Sequence, residues 1–148
     1  MRISAKGRYG IAAMINIAQN YESGEYTTVI SISEKLGISK IYLEQVFSLL
    51  KRGGLVNSVK GAQGGYILTR MPQKISAYDV LSAVESSLFE NTEETVSEKA
   101  PEIDSAMKAL IFDELDDAVK TALQKTSLYD LVNEAEKHKS DQGLMFFI

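Results

Sequence analysis

The sequence predicts a mostly α fold with a small β-hairpin: a winged helix-turn-helix with a long C-terminal dimerisation helix. Three observations carry this expectation. Residues 32–36 read as a short helix, followed by a turn at Gly37 and a second helix opened by Ser39. Two β-prone runs, 55–60 and 66–69, flank the glycine-rich stretch 61–65. After Pro101, apolar residues recur at helical spacing through about residue 124, more than a small domain covers by itself.

A chain of 148 residues accommodates one domain with a helical extension. The expected division is 1–85 for the winged domain, 86–101 for a flexible acidic loop, and 102–148 for a helical dimerisation region with a C-terminal tail. Charge also differs between the two halves of the chain. Residues 1–74 hold ten Lys/Arg against four Asp/Glu, whereas residues 75–148 hold six against sixteen. A basic first half joined to an acidic second half fits a polyanion-binding module carrying something that must not bind a polyanion.

Cysteine is absent from the sequence, which removes disulfides, thiolate metal sites and thiol redox chemistry by this polypeptide. His138 is the sole histidine and reads as a surface residue, so no metal site is expected. The N-terminus carries no apolar run, and no segment approaches the ~20 apolar residues that span a bilayer. The expected location is cytoplasmic.

In chain order, the first helix should cover 4–21, with Ile11, Met14, Ile15, Ala18 and Tyr21 on its apolar face. Gly7 and Gly10 cost helix propensity and suggest a close neighbour there. Ser31 and Glu34 have the spacing of a capping box and are expected to open the second helix. Gly37 supplies a left-handed turn. Ser39 then caps the third helix, which buries Leu43, Val46, Phe47 and Leu50.

The opposite face of that third helix carries Lys40, Glu44, Gln45 and Ser48, with Lys51 and Arg52 at its end. Insertion into a major groove calls for such a face. Gln45 can read an adenine edge, Glu44 can accept from a cytosine amino group, and cations can neutralise phosphates. The expected DNA-binding set is Arg2, Lys6, Ser39, Lys40, Tyr42, Glu44, Gln45, Lys51, Lys60 and Gln63. For Arg2, Lys6 and Arg8, phosphate contact and simple solvation are both open. The glycine-rich turn has neither the Gly-Lys-Ser/Thr ending of a P-loop nor a dinucleotide fingerprint, which argues against nucleotide chemistry.

In the second half, Ser76 and Asp79 should cap a helix to about residue 85, with Val80, Leu81 and Val84 inward. The loop 86–101 follows. On the long helix, 102–124, the residues expected to pair two copies are Ile103, Met107, Leu110, Ile111, Leu115 and Ala118. Thr126 or Ser127 caps a last helix, expected to pack beside the long one. The apolar ending Leu144-Met145-Phe146-Phe147-Ile148 is expected to dock on the body or on a partner.

With these residues in place, the chain resembles the Rrf-two family of bacterial winged-helix repressors. The opening Met1-Arg2-Ile3-Ser4-Ala5-Lys6-Gly7-Arg8-Tyr9-Gly10 is similar to the family's N-terminal signature, as are Ser39 to Gln45, Lys51 to Val56 and Gly61 to Tyr66. The resemblance implies a homodimer crossed through the long helix, recognition by the third helix and a wing that reaches the minor groove. It also implies that Glu44 tunes sequence preference beside Tyr42 and Gln45, that Lys60 is the basic residue of the wing, and that Arg2 and Lys6 lie near the DNA backbone. Iron–sulfur members hold their cluster through three cysteines and another ligand after the fourth helix. This chain has no cysteine there or elsewhere, so no cluster and no other cofactor is expected. The resemblance is therefore greatest to the cluster-free cysteine-metabolism branch, whose partner is the cysteine synthase O-acetylserine thiol-lyase.

The leading expectation is a dimeric, sequence-specific repressor binding double-stranded DNA at a palindrome, in cysteine or sulfur metabolism. The competing reading is a winged-helix protein-interaction module acting through a partner. An enzyme is not expected, because no nucleophile–base arrangement is recognisable.

Overall fold

The computed structural model describes residues 1–61 and 64–146, with side chains through residue 143. Among the described residues, seven α-helices and one two-stranded antiparallel sheet follow in the order α1 (Ala5–Gln19), α2 (Val29–Leu36), α3 (Lys40–Arg52), β1 (Val56–Val59), β2 (Gly65–Leu68), α4 (Ala77–Val84), α5 (Pro101–Met107), α6 (Asp113–Gln124) and α7 (Leu128–Phe146). The expected winged helix-turn-helix with a long C-terminal helix is the observed architecture. One core holds it together, with Met14, Ile32, Leu43, Phe47, Leu50, Ile75 and Leu128 buried in a single cluster.

Helix α1 lies against α4, α3 and α7. The approach to α4 explains the two glycines in its first turns. A Cβ on Gly7 would meet the Glu85 carboxylate and come within 2.8 Å of Ile3 Cγ2, and one on Gly10 would lie 3.1 Å from Val84 Cγ2. Ser4 caps α1 by accepting from the Gly7 amide at 3.2 Å, and the Ser4 amide donates to Glu85 at 3.0 Å. The carboxylate at the end of α4 thus sits on the positive end of α1.

The start of α2 differs from the expected capping box. Thr28, not Ser31, is the cap, accepting from the Ser31 amide at 3.1 Å, while the Ser31 hydroxyl donates to the Thr28 carbonyl at 2.9 Å. The reason is a long-range contact. Thr27 exchanges two backbone hydrogen bonds with Tyr66, at 2.9 and 2.8 Å, and so is tied to the wing by an isolated antiparallel bridge. The chain can turn helical only after that bridge.

Gly37 ends α2 at φ +68°, the left-handed conformation expected there. Ser39 caps α3, accepting from the Tyr42 amide at 3.2 Å. The hairpin pairs Val56 with Leu68 and Val59 with Gly65. Ser76 and Asp79 form the expected capping box at α4, with bonds of 3.0 and 2.9 Å.

Residues 86–101, expected as a loop, contain a 3-10 turn at Ser86–Phe89 that sets Phe89 against Tyr78 at 4.8 Å. The Thr95 and Val96 amides donate to Asp104 at 2.9 and 3.0 Å, which ties the end of this segment to α5. These two bonds hold the Asp104 carboxyl below its ordinary pKa.

The long helix runs through α5, a π-helical segment at Lys108–Phe112, and α6. Helix α6 rests on α4, with Lys120 Nζ 5.5 Å from the Tyr78 ring centre. The last helix corrects an expectation. It packs on α1 and the turn Pro72–Lys74 rather than beside the long helix. Ser127 and Asp130 form a second reciprocal cap, at 3.1 and 2.9 Å. Backbone bonds from Ala77 to Thr126 and from Leu128 to Ile75, both 2.8 Å, clamp the starts of α4 and α7 together. Leu128 accordingly belongs to the core of the winged domain. The expected docking of residues 144–148 lies outside the described side chains.

Candidate nucleic-acid interface

Helix α3 is amphipathic by construction. Leu43, Val46, Phe47 and Leu50 anchor it in the core, so its other face must look outward. Lys40, Glu44, Gln45 and Ser48 are exposed there. Lys40 and Glu44 approach to 4.0 Å across one turn. Both side chains are more than half exposed, so the pair is worth only a few tenths of a kcal/mol and can open for another partner.

Two grooves border this face. One, of about 690 Å³, is lined by the start of α2 (Thr28 to Ile30), by Lys40 and Glu44, and by the wing residues Ser58 to Gly61 and Gly64 to Tyr66. The other, of about 520 Å³, brings Lys6 from α1 beside Ile41, Glu44, Gln45, Ser48 and Leu49. Glu44 lines both. A cation from the N-terminal segment and a cation of the wing therefore flank the exposed side chains of one helix.

The wing is held at a defined angle to that helix. Phe47 of α3 stacks on Tyr66 of β2, with ring centres 4.3 Å apart and planes 12° from parallel. Burial raises the Tyr66 phenol above its ordinary pKa, and the nearby Glu44 carboxylate adds to the rise. Lys51 Nζ donates to Ser58 Oγ at 2.8 Å, a second brace between helix and hairpin that leaves two ammonium protons for other acceptors.

The sequence-derived residues thus have distinct placements. Lys6, Lys40, Glu44, Gln45 and Lys60 border the two grooves. Ser39 spends its oxygen on the cap and keeps its own proton to donate. Tyr42 stands apart from Glu44 and Gln45: it is half-buried and meets Tyr9 edge-on at 5.2 Å. Arg2 is exposed on the segment before α1, outside both grooves. Gln63 lies outside the described residues.

Sequence reasoning missed the stack between Phe47 and Tyr66, and it missed Ile41. Reading 39–45 for exposed positions, rather than for polar residues alone, would have found Ile41.

Of the residues expected to pair two copies, Ile103, Leu110, Ile111 and Leu115 are 52, 78, 50 and 58% exposed, Ala118 is exposed and Met107 is half-buried. They occupy α5, the π-helical segment and α6, and none of them lines either groove beside α3.

Comparison with known proteins bears on the fold and the family. The model of the Rrf2 family, described as iron-dependent transcriptional regulators, matches residues 3–134. The HTH-type transcriptional regulator CymR of Bacillus subtilis is 35% identical over 148 residues, covering both chains completely. The regulator IscR of Escherichia coli is 38% identical over 136 residues, 92% of this chain and 83% of its own. Among solved structures, CymR, titled the global cysteine regulator of B. subtilis, superposes with a TM-score of 0.75 at 35% identity, covering 90% of this chain and 98% of its own. IscR of T. potens gives 0.74 at 32%, covering 99% and 96%.

The family description names iron. Iron–sulfur clusters are held chiefly by thiolates, and this sequence has no cysteine to supply them. Among the described residues, no group of three or more His, Asp or Glu side chains is placed to hold a metal ion. The donor set does not fit a cluster. Fold and full-length similarity nevertheless agree, and the chain belongs to the Rrf2 family of winged-helix transcriptional regulators.

Proposed function

We propose that the protein is a homodimeric repressor that binds a palindromic operator through α3 and the wing, without an iron–sulfur cluster. The observation that carries this is the exposed face of α3, flanked by Lys6 on one side and Lys60 on the other. Helix insertion in the major groove puts Glu44 and Gln45 at base edges and leaves the lysines for phosphates. Lys40 is released from Glu44 when it meets a phosphate, which frees Glu44 to accept from a cytosine amino group.

The dimer follows from the apolar stripe of α5 and α6. Pairing two stripes about a twofold axis removes Ile103, Leu110, Ile111 and Leu115 from water. It also fixes the distance between two recognition helices, which makes the operator a palindrome. The regulated genes are those of cysteine or sulfur metabolism. That assignment rests on the full-length similarity to the cysteine regulator and on the lack of cluster ligands. The cysteine synthase O-acetylserine thiol-lyase is the corresponding candidate for a regulatory partner.

Titration of operator binding against salt tests the reading. Neutralising Lys60 as Lys60→Gln should weaken binding to all duplexes and reduce the slope of log K against log salt by about 0.9 per protomer for each lost phosphate contact. Binding that ignores salt and this substitution would overturn it.

A further inference from the structure

Ile41 is the one large apolar side chain that α3 leaves exposed, at 73%, while Leu43, Val46, Phe47 and Leu50 of the same helix are fully buried. Single exposed isoleucines are commonplace on protein surfaces, so exposure alone carries nothing. Its position carries more. Ile41 is the second residue of the recognition helix and shares a groove with Lys6, Glu44, Gln45 and Ser48. Residues 41, 44, 45 and 48 recur at intervals of three and four and so form one face. The residues entering a major groove most deeply come from the start of such a helix.

Major-groove edges display donors, acceptors and a single apolar group, the 5-methyl of thymine. An isoleucine among hydrogen-bonding side chains on this face has that one complementary target. Cytosine and guanine edges would leave their polar groups facing hydrocarbon, which costs free energy unless water intervenes.

We infer that Ile41 is a specificity-determining residue that selects thymine by packing on its methyl group, next to the base pair met by Glu44 and Gln45. This rests on the DNA-binding reading above and adds a base preference that hydrogen bonding by those two residues does not supply.

The test uses the duplex motif recovered by the wild-type protein from a random pool. Each thymine of a half-site is replaced by uracil, which removes the methyl and keeps the Watson–Crick pair. Wild-type protein should lose about three- to tenfold in affinity at one thymine per half-site. Ile41→Ala should bind the thymine and uracil duplexes equally, and Ile41→Val, which keeps a branched contact, should retain most of the discrimination. Because the side chain is exposed, both variants should keep wild-type helical circular dichroism.

The inference fails if wild-type protein tolerates uracil at every position, or if Ile41→Ala shows the same uracil penalty as wild type. Either result leaves DNA recognition itself standing. Recovery of no motif by the wild-type protein would remove both.

Discussion

Leu110 gives the sharpest test of the proposed dimer. It is 78% exposed at the centre of the apolar stripe, so the protomer leaves most of its hydrophobic stabilisation unrealised. Burying a leucine side chain fully is worth about 2 kcal/mol, and twofold pairing buries two copies at once. Truncation to alanine keeps one methyl of each. Leu110→Ala should therefore weaken association by about 2–3 kcal/mol, a factor of roughly 30 to 150 in the dissociation constant. The folded protomer should be indifferent, because alanine is at least as good a helix former as leucine. Sedimentation equilibrium over a wide concentration range reads the dissociation constant, with far-ultraviolet circular dichroism as the control for folding. A dissociation constant within twofold of wild type would refute the assignment of this face. So would a wild-type chain that remains monomeric at high micromolar concentration.

Three further outcomes concern the scaffold of the interface. In an open helical site, Gly7→Ala would gain about 1 kcal/mol from propensity, but here the new methyl collides with Ile3 and Glu85, and thermal unfolding should show a net loss of about 1–3 kcal/mol. A double-mutant cycle with Phe47→Leu and Tyr66→Leu, followed by denaturant unfolding, should give a coupling of about 1 kcal/mol. A value near zero would mean that the stack does not hold the wing. Asp104 has a lowered folded-state pKa, so its contribution is present above its unfolded value of about 4 and disappears as pH falls through the lower folded value. Asp104→Asn should consequently reduce amide-exchange protection of Thr95 and Val96 at neutral pH, and the difference from wild type should close in acid.

Much of this architecture was legible in the chain because local chemistry and long-range packing agree. Gly37 sits between two apolar residues that both need to turn inward, and only a left-handed residue does that in one step. The stripe Leu43, Val46, Phe47 and Leu50 has a single consistent burial, which also fixes the exposed face of α3. Gly7 and Gly10 were readable as close approaches, though not what approaches them.

The misreadings of the α2 cap and of the packing of α7 share one cause. Thr28 and Ser31 are comparable local caps, and the bridge from Thr27 to Tyr66, nearly forty residues away, decides between them. Likewise the amphipathic α7 could pack on any apolar surface, and the clamp between Ser76 and Ser127 directs it to α1. Contacts that distant leave no periodic trace. Ile41 was overlooked for a different reason: the exposed face of α3 was searched for polar side chains, although the stripe Leu43, Val46, Phe47 and Leu50 already leaves residue 41 outside the core.

The central claim is tested most directly by selecting bound fragments from random duplex DNA with the purified full-length protein at fixed, near-physiological salt. The account predicts one motif with two inverted half-sites, their centres separated by one helical turn or a multiple of it. Salt-sensitive binding without any motif, or no binding even at low salt, would contradict it.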